Sequence, residues 1–167
     1  MSRGFVREDD QEEAPFIPPR AALPDGVTNY VTPRGLQLLQ AERKALETER
    51  ADVTGNDDER RRAHAVIDGK LSLLNERIVT ARVVEPVEGK QTEVRFGNTV
   101  KFEHTSGPQK GKQFTFNLVG VDEADVKEGR IAFTAPIARA LLGGKKGRTV
   151  PYQLGTEVKK LKIIAIE

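Results

Sequence analysis

The amino-acid sequence predicts an α+β protein: an N-terminal antiparallel coiled-coil hairpin, then an antiparallel β domain carrying one short helix. Three observations predict this. Leu36, Leu39, Leu46 and Val53 recur with heptad spacing. A second apolar stripe, Ala63, Ile67, Leu71, Leu74, Ile78 and Ala81, follows after a short break. Beyond Gly89 the pattern changes to the period-2 alternation of strands, with glycine-bearing turns between them.

Residues 1–29 read as an acidic, proline-containing tail. Residues 1–26 hold Arg3, Arg7 and Arg20 against Glu8, Asp9, Asp10, Glu12, Glu13 and Asp25. Pro15, Pro18, Pro19 and Pro24 exclude a helix. A solvated leader is the expected state, with Phe16 and Ile17 able to pack it extended against the body.

The hairpin is expected over 30–86, with its tip at 54–59. Thr32 suits an N-cap and Pro33 the first helical position. The first helix is expected over about 33–53, with Arg43 and Arg50 on its seam. Thr54-Gly55-Asn56 breaks it. The second is expected over about 58–84, ended by Pro86. Helices joined by so short a connection return antiparallel, and such a hairpin projects roughly 30 Å.

Strands are expected around Val94–Phe102, Phe114–Val119, Arg130–Thr134, Arg148–Leu154 and Val158–Ile166. Pro136 to Leu142 reads as a short helix with proline at its start and Gly143-Gly144 at its end.

Most catalytic constellations are absent. His64 and His104 lie far apart, outside any metal-ligand spacing. No Walker loop, GxGxxG or GxSxG occurs, and Gly143–Arg148 follows a helix where a phosphate loop precedes one. The chain has no cysteine, no export signal and no apolar run of membrane-spanning length. A cytoplasmic protein with no membrane partner is therefore expected. Nothing signals an oligomer, so a monomer is expected. Net charge is only +2, and no aromatic stacking platform accompanies the basic residues, which argues against an independent nucleic-acid binder.

The informative cluster is Asp57-Asp58-Glu59-Arg60-Arg61-Arg62 at the tip. Acidic residues at a helix start serve as caps and complement the macrodipole. The same carboxylates could also meet a cation held elsewhere, since Mg²⁺ takes oxygen ligands and keeps several waters. Both readings stay open.

Val119-Gly120-Val121-Asp122-Glu123-Ala124-Asp125, Lys127-Glu128-Gly129-Arg130-Ile131 and Pro136-Ile137-Ala138-Arg139-Ala140-Leu141-Leu142-Gly143 form a long, ungapped block. It resembles the VGxDEAD…GxI…SPIARALxG signature of the Gre family of bacterial transcript-cleavage and elongation factors. Asn29–Gly35 resembles the family's helix entry; Gly69-Lys70-Leu71 and Ala81–Val84 resemble the end of its hairpin. The resemblance covers about residues 29–167. It implies an FKBP-like, polymerase-docking domain over 89–167, used for binding and not for prolyl isomerisation. The chain is then not an enzyme: at most it assists the polymerase's own active site. The implied partner is bacterial RNA polymerase at the rim of its secondary channel, with nascent or backtracked RNA met indirectly. The implied docking residues are Asp122, Glu123, Asp125, Pro136 and Arg139. Arg60, Arg61 and Arg62 form a charged face toward RNA. Asp57, Asp58 and Glu59 are the candidate tip acids, with Asp57 and Asp58 approaching an Mg²⁺ that polymerase holds; no cofactor of the chain's own is implied.

Three departures stand out. The family tip reads roughly GDxxENAEYxxA, whereas Gly55-Asn56-Asp57-Asp58-Glu59-Arg60-Arg61-Arg62 stands here. The segment between Gly35 and Gly69 is also about sixteen residues shorter than the family finger, about eight in each arm, on the order of 12 Å of reach. The expected function is therefore an elongation factor acting through the secondary channel, with two readings open. Either the β domain seats deeper and the tip acids stimulate cleavage of backtracked RNA, or the tip does not reach the catalytic metal and the chain binds without cleaving, as is expected of short-fingered relatives. A family serine is replaced by Ala135 before Pro136.

Overall fold

The computed structural model describes residues 13–167. The acidic run Glu8–Glu12 lies outside the described residues. Two antiparallel helices, α1 (Pro33–Ala51) and α2 (Asp57–Thr80), form the hairpin. A five-stranded sheet and a short helix α3 (Pro136–Leu141) form the rest. No helix among the described residues is long and apolar enough to cross a membrane.

Helix α1 starts where Thr32 Oγ1 accepts from the Gly35 amide at 2.9 Å, with Pro33 at the first position. Its stripe meets that of α2: Leu39, Leu46, Ile67 and Leu74 are buried, flanked by Leu36, Val53, Leu71, Ile78 and Ala81. Arg50, expected on the seam, instead reaches across to Asp68, Nε to Oδ1 2.7 Å. That hydrogen bond holds the Asp68 carboxyl below its ordinary value.

The second helix ends at Thr80, not at about residue 84 as the sequence suggests. The reason is a parallel pair absent from the sequence pattern: β1 (Tyr30–Val31) with β2 (Arg82–Val83). The Arg82 amide donates to Asn29 O and the Val84 amide to Val31 O, both at 2.9 Å. Buried Asn29 donates from Nδ2 to Arg77 O, 2.9 Å, and so covers the helix end. These groups therefore pair with β1, and the α2 ladder cannot continue.

The large sheet comprises β3 (Thr99–His104), β4 (Gln113–Val119), β5 (Arg130–Ala132), β6 (Thr149–Leu154) and β7 (Glu157–Ile166), in the order β5-β4-β3-β7-β6. It is mixed rather than wholly antiparallel: β5 runs parallel to β4, with Leu118 opposite Ile131. The residue 120–129 connection makes this possible by crossing back before β5 begins. The strand expected from Val94 begins only at Thr99: the Val94 amide donates to Gly144 O at 2.8 Å, and Glu93 bridges Lys145. The inward face (Val100, Phe102, Leu118, Leu161 and Ile163) is fully buried and packs on Ala138 and Leu141 of α3. Outward positions such as Lys101, Thr115, Lys160 and Lys162 are exposed, giving the alternation expected of a sheet covered on one side.

His104 points inward, between Phe102 and Phe114 at centroid distances of 5.9 and 5.5 Å, and its Nδ1 lacks a partner. Burial, then the positive charge of Lys159, hold its imidazole below the ordinary value. The unfolded chain therefore takes up the proton first. The resulting stability is complete above the unfolded pKa, about 6.5, and is lost as pH falls through the lower folded value. The thermal midpoint should accordingly drop more steeply from about pH 6.5 to 5 for the native chain than for His104→Phe. Parallel midpoint-versus-pH curves for the two proteins would disprove this assignment.

Candidate functional site

Two places concentrate charged side chains: the hairpin tip and its junction with the β domain. At the tip, Gly55 turns the chain at φ 114°. Asn56 then caps α2 in a reciprocal box: Glu59 N donates to Asn56 Oδ1 at 2.9 Å, and Asn56 N donates to Glu59 Oε2 at 3.0 Å. Asp57 pairs with Arg60 at 2.5 Å and Asp58 with Arg61 at 3.0 Å. All three candidate acids thus have partners within their own turn, although the Asp57 side chain remains 94% exposed. Among the described residues, no group of three or more His, Asp or Glu side chains is placed to hold a metal ion.

The junction differs in burial. The family resemblance implies docking through Asp122 and Glu123; in the structure both side chains face inward. The Glu123 side chain, 4% exposed, accepts from Thr32 Oγ1 at 2.5 Å and from Arg34 Nη1 at 3.1 Å, at the first turn of α1. The Asp122 side chain, 7% exposed, accepts from Arg20 Nε at 3.0 Å and faces Arg77 Nη1 at 3.4 Å. Physical necessity explains the inversion, because a desolvated carboxylate needs cationic or hydroxyl partners close by. Two glycines make the approach possible. A Cβ on Gly35 would lie 2.8 Å from Glu123 Oε2, and one on Gly120 would lie 2.6 Å from Tyr30 O. Tyr30, Phe96 and Phe133 close the joint with centroid distances of 5.4–5.9 Å.

Asp125, Pro136 and Arg139 remain exposed. Asp125 Oδ1 accepts from the Lys127 amide at 3.2 Å, capping a 3-10 turn (Val126–Glu128) that projects Val126. Helix α3 begins at Ala135 without a side-chain cap, so the expected helix start holds while its capping hydroxyl is lost.

Arg20, Glu42 and Arg77 escape a sequence reading altogether. Arg20 lies in the proline-rich segment, and the others look like solvated helix charges. Nothing in local spacing links positions 20, 77 and 122.

The sequence profile described as "Transcription elongation factor, GreA/GreB, C-term" matches residues 89–167, the sheet and α3 together. The GreA transcription elongation factor of Acidiphilium cryptum is 31% identical over 152 residues, spanning 81% of this chain and 95% of that protein. This chain belongs to the GreA/GreB family of transcription elongation factors. The GreA of Hyphomonas neptunium is similar at 35% identity over 133 residues, with 70% and 83% covered. Among solved structures, a GreA/GreB factor from Nitrosomonas europaea aligns at 22% identity and TM-score 0.38, over 82% of this chain and 97% of its own. Gfh1 of Thermus thermophilus aligns at 17% identity and TM-score 0.37, over 84% and 99%.

Within this GreA/GreB member the two charged places differ in energetic weight. Exposed i,i+3 pairs on a helix contribute about 0.2–0.5 kcal/mol. Breaking a buried ion pair costs about 3–5 kcal/mol, less where the cations keep some water. Asp122→Asn should therefore lower unfolding free energy by about 2–3 kcal/mol, and Asp57→Asn by under about 0.5 kcal/mol, in paired urea titrations. Equal losses for the two would refute the ranking.

Proposed function

We propose that this elongation factor acts by binding RNA polymerase at the rim of the secondary channel, and that it regulates without supplying a carboxylate to the catalytic metal. The β domain makes the grip through its exposed features: Asp125 and Val126 on the 3-10 turn, with Pro136 and Arg139 on α3. Asp122 and Glu123 support that surface from behind, since their side chains face the hairpin. The hairpin points into the channel, and Arg60, Arg61 and Arg62 face the RNA phosphates there.

Hairpin length is the observation that carries the non-cleaving reading. Helix α1 has 19 residues and α2 has 24, about 28 and 36 Å. A finger some 12 Å short of the family's cannot be rescued by side-chain motion, because a metal ligand must lie within about 2–2.5 Å. Ion pairing at the tip is the weaker argument, since an exposed pair opens at a cost of only a few tenths of a kcal/mol. Glu59 is held more firmly, because it completes the capping box.

A stalled, backtracked polymerase complex with Mg²⁺ tests both parts. The factor should be retained by polymerase, and the RNA should shorten no faster than without it. The variant Asp57→Asn/Asp58→Asn/Glu59→Gln, which preserves the cap geometry, should leave retention within about twofold, the scale of 0.4 kcal/mol. Cleavage that is accelerated by the native chain and lost in this variant would overturn the non-cleaving reading. Failure of polymerase to retain the native chain would overturn the docking itself.

A further inference from the structure

Of the N-terminal segment, expected as a solvated leader with Phe16 and Ile17 able to pack it on the body, residues 17–21 lie along the hairpin, whereas Phe16 stays 79% exposed. Ile17 sits over Gly69 of α2 so closely that a Cβ there would lie 2.4 Å from its Cδ1. Arg77 of α2 donates to the Ala21 carbonyl. Arg20 forks between the two halves of the molecule. Its Nη1 and Nη2 donate to Glu42 of α1 at 2.7 and 3.0 Å, and its Nε donates to Asp122 of the β domain at 3.0 Å. The Arg20 side chain is 17% exposed, so this bridge is largely withdrawn from water.

We infer that residues 17–21 form a strap that fixes the angle between hairpin and β domain, and that Arg20 and Arg77 are positioning residues for the tip. The other junction contacts crowd one point: Thr32 and Arg34 against Glu123, and Tyr30 against Gly120, Phe96 and Phe133. Contacts so close together act as a pivot. A rotation of 10° about that pivot carries the far end of a 19-residue helix by about 5 Å. Glu42 lies ten residues beyond Thr32, about 15 Å along the helix. A link from there to Asp122 therefore opposes rotation with a long arm, which the pivot contacts lack. Charge-assisted, bidentate geometry gives the link its direction. Gly69 extends the strap along the second arm, because only a residue without a side chain leaves room for Ile17.

The consequence for tip placement rests on the polymerase reading above, whereas the strap itself is tested without polymerase. The chain contains no cysteine, so spin labels can be placed through Glu49→Cys on α1 and Gln153→Cys on β6, both exposed positions. In the full-length, doubly labelled chain the distance distribution should be narrow. Arg20→Gln should widen it at least twofold, and Arg20→Lys, which keeps charge but loses the fork, should fall between. Gly69→Leu leaves every charge in place, favours the helix and displaces Ile17; it too should widen the distribution. Far-UV circular dichroism should remain native in each variant, separating loosening from unfolding. An unchanged distribution in both Arg20→Gln and Gly69→Leu would overturn the strap. A widened distribution in a chain that polymerase does not retain would leave the strap intact and remove only its proposed role.

Discussion

Two adjacent carboxylates joining the hairpin to the sheet are the constraint on which this molecule depends. Asp122 and Glu123 sit in one loop, yet they face different cations from different elements. Glu123 meets the first turn of α1, where a helix N-terminus adds its own attraction for negative charge. Asp122 meets Arg20 and Arg77, which approach from the N-terminal segment and from α2. A carboxylate removed from water is costly unless its partners are already in place. The loop can therefore be seated in few ways, and whatever it seats inherits that rigidity. Gly35 and Gly120 are the steric half of the same constraint, since a methyl group at either position would press on Glu123 or on the Tyr30 carbonyl.

The tip obeys the opposite logic. Asp57, Asp58, Arg60 and Arg61 are exposed, paired within one turn and weakly bound. They are easily rearranged by anything that approaches, and they fix nothing about the fold beyond the start of α2. Cross-linking of the arms is left to the Leu39, Leu46, Ile67 and Leu74 stripe and to the Arg50–Asp68 bridge behind the tip. Chemical adaptability at the far end thus coexists with geometric fixity at the near end.

What the sequence made legible follows from the range of each interaction. Heptad spacing is a local signal, and the buried residues of both arms match the stripes read from it. The Thr32 and Pro33 start, the Gly55 turn and the α3 boundaries are equally local and equally readable. The early end of α2 was not legible, because it depends on β1, about fifty positions away. Nor was the parallel pairing of β5, which depends on the path of a connection rather than on alternation. The inward partners of Asp122 and Glu123 were not legible for a related reason: Arg20, Thr32, Arg34 and Arg77 lie far from them in sequence.

Family membership states what kind of factor this is, while the arm lengths and the junction decide what its tip can touch. The two quantities are physically independent. Reach is set by residue count at about 1.5 Å per residue and cannot be altered by surface charge. Direction is set by the angle at the junction, held by ion pairs whose partners lie far apart in sequence. A change at position 20 could therefore redirect the tip without shortening it, and a deletion within the arms could shorten it without redirecting it. The C-terminal GreA/GreB profile covers the sheet and α3. The contacts that set tip position lie mainly outside them, in the N-terminal segment and the hairpin. Such a division of residues lets the direction of the hairpin change while the sheet and α3 stay as they are.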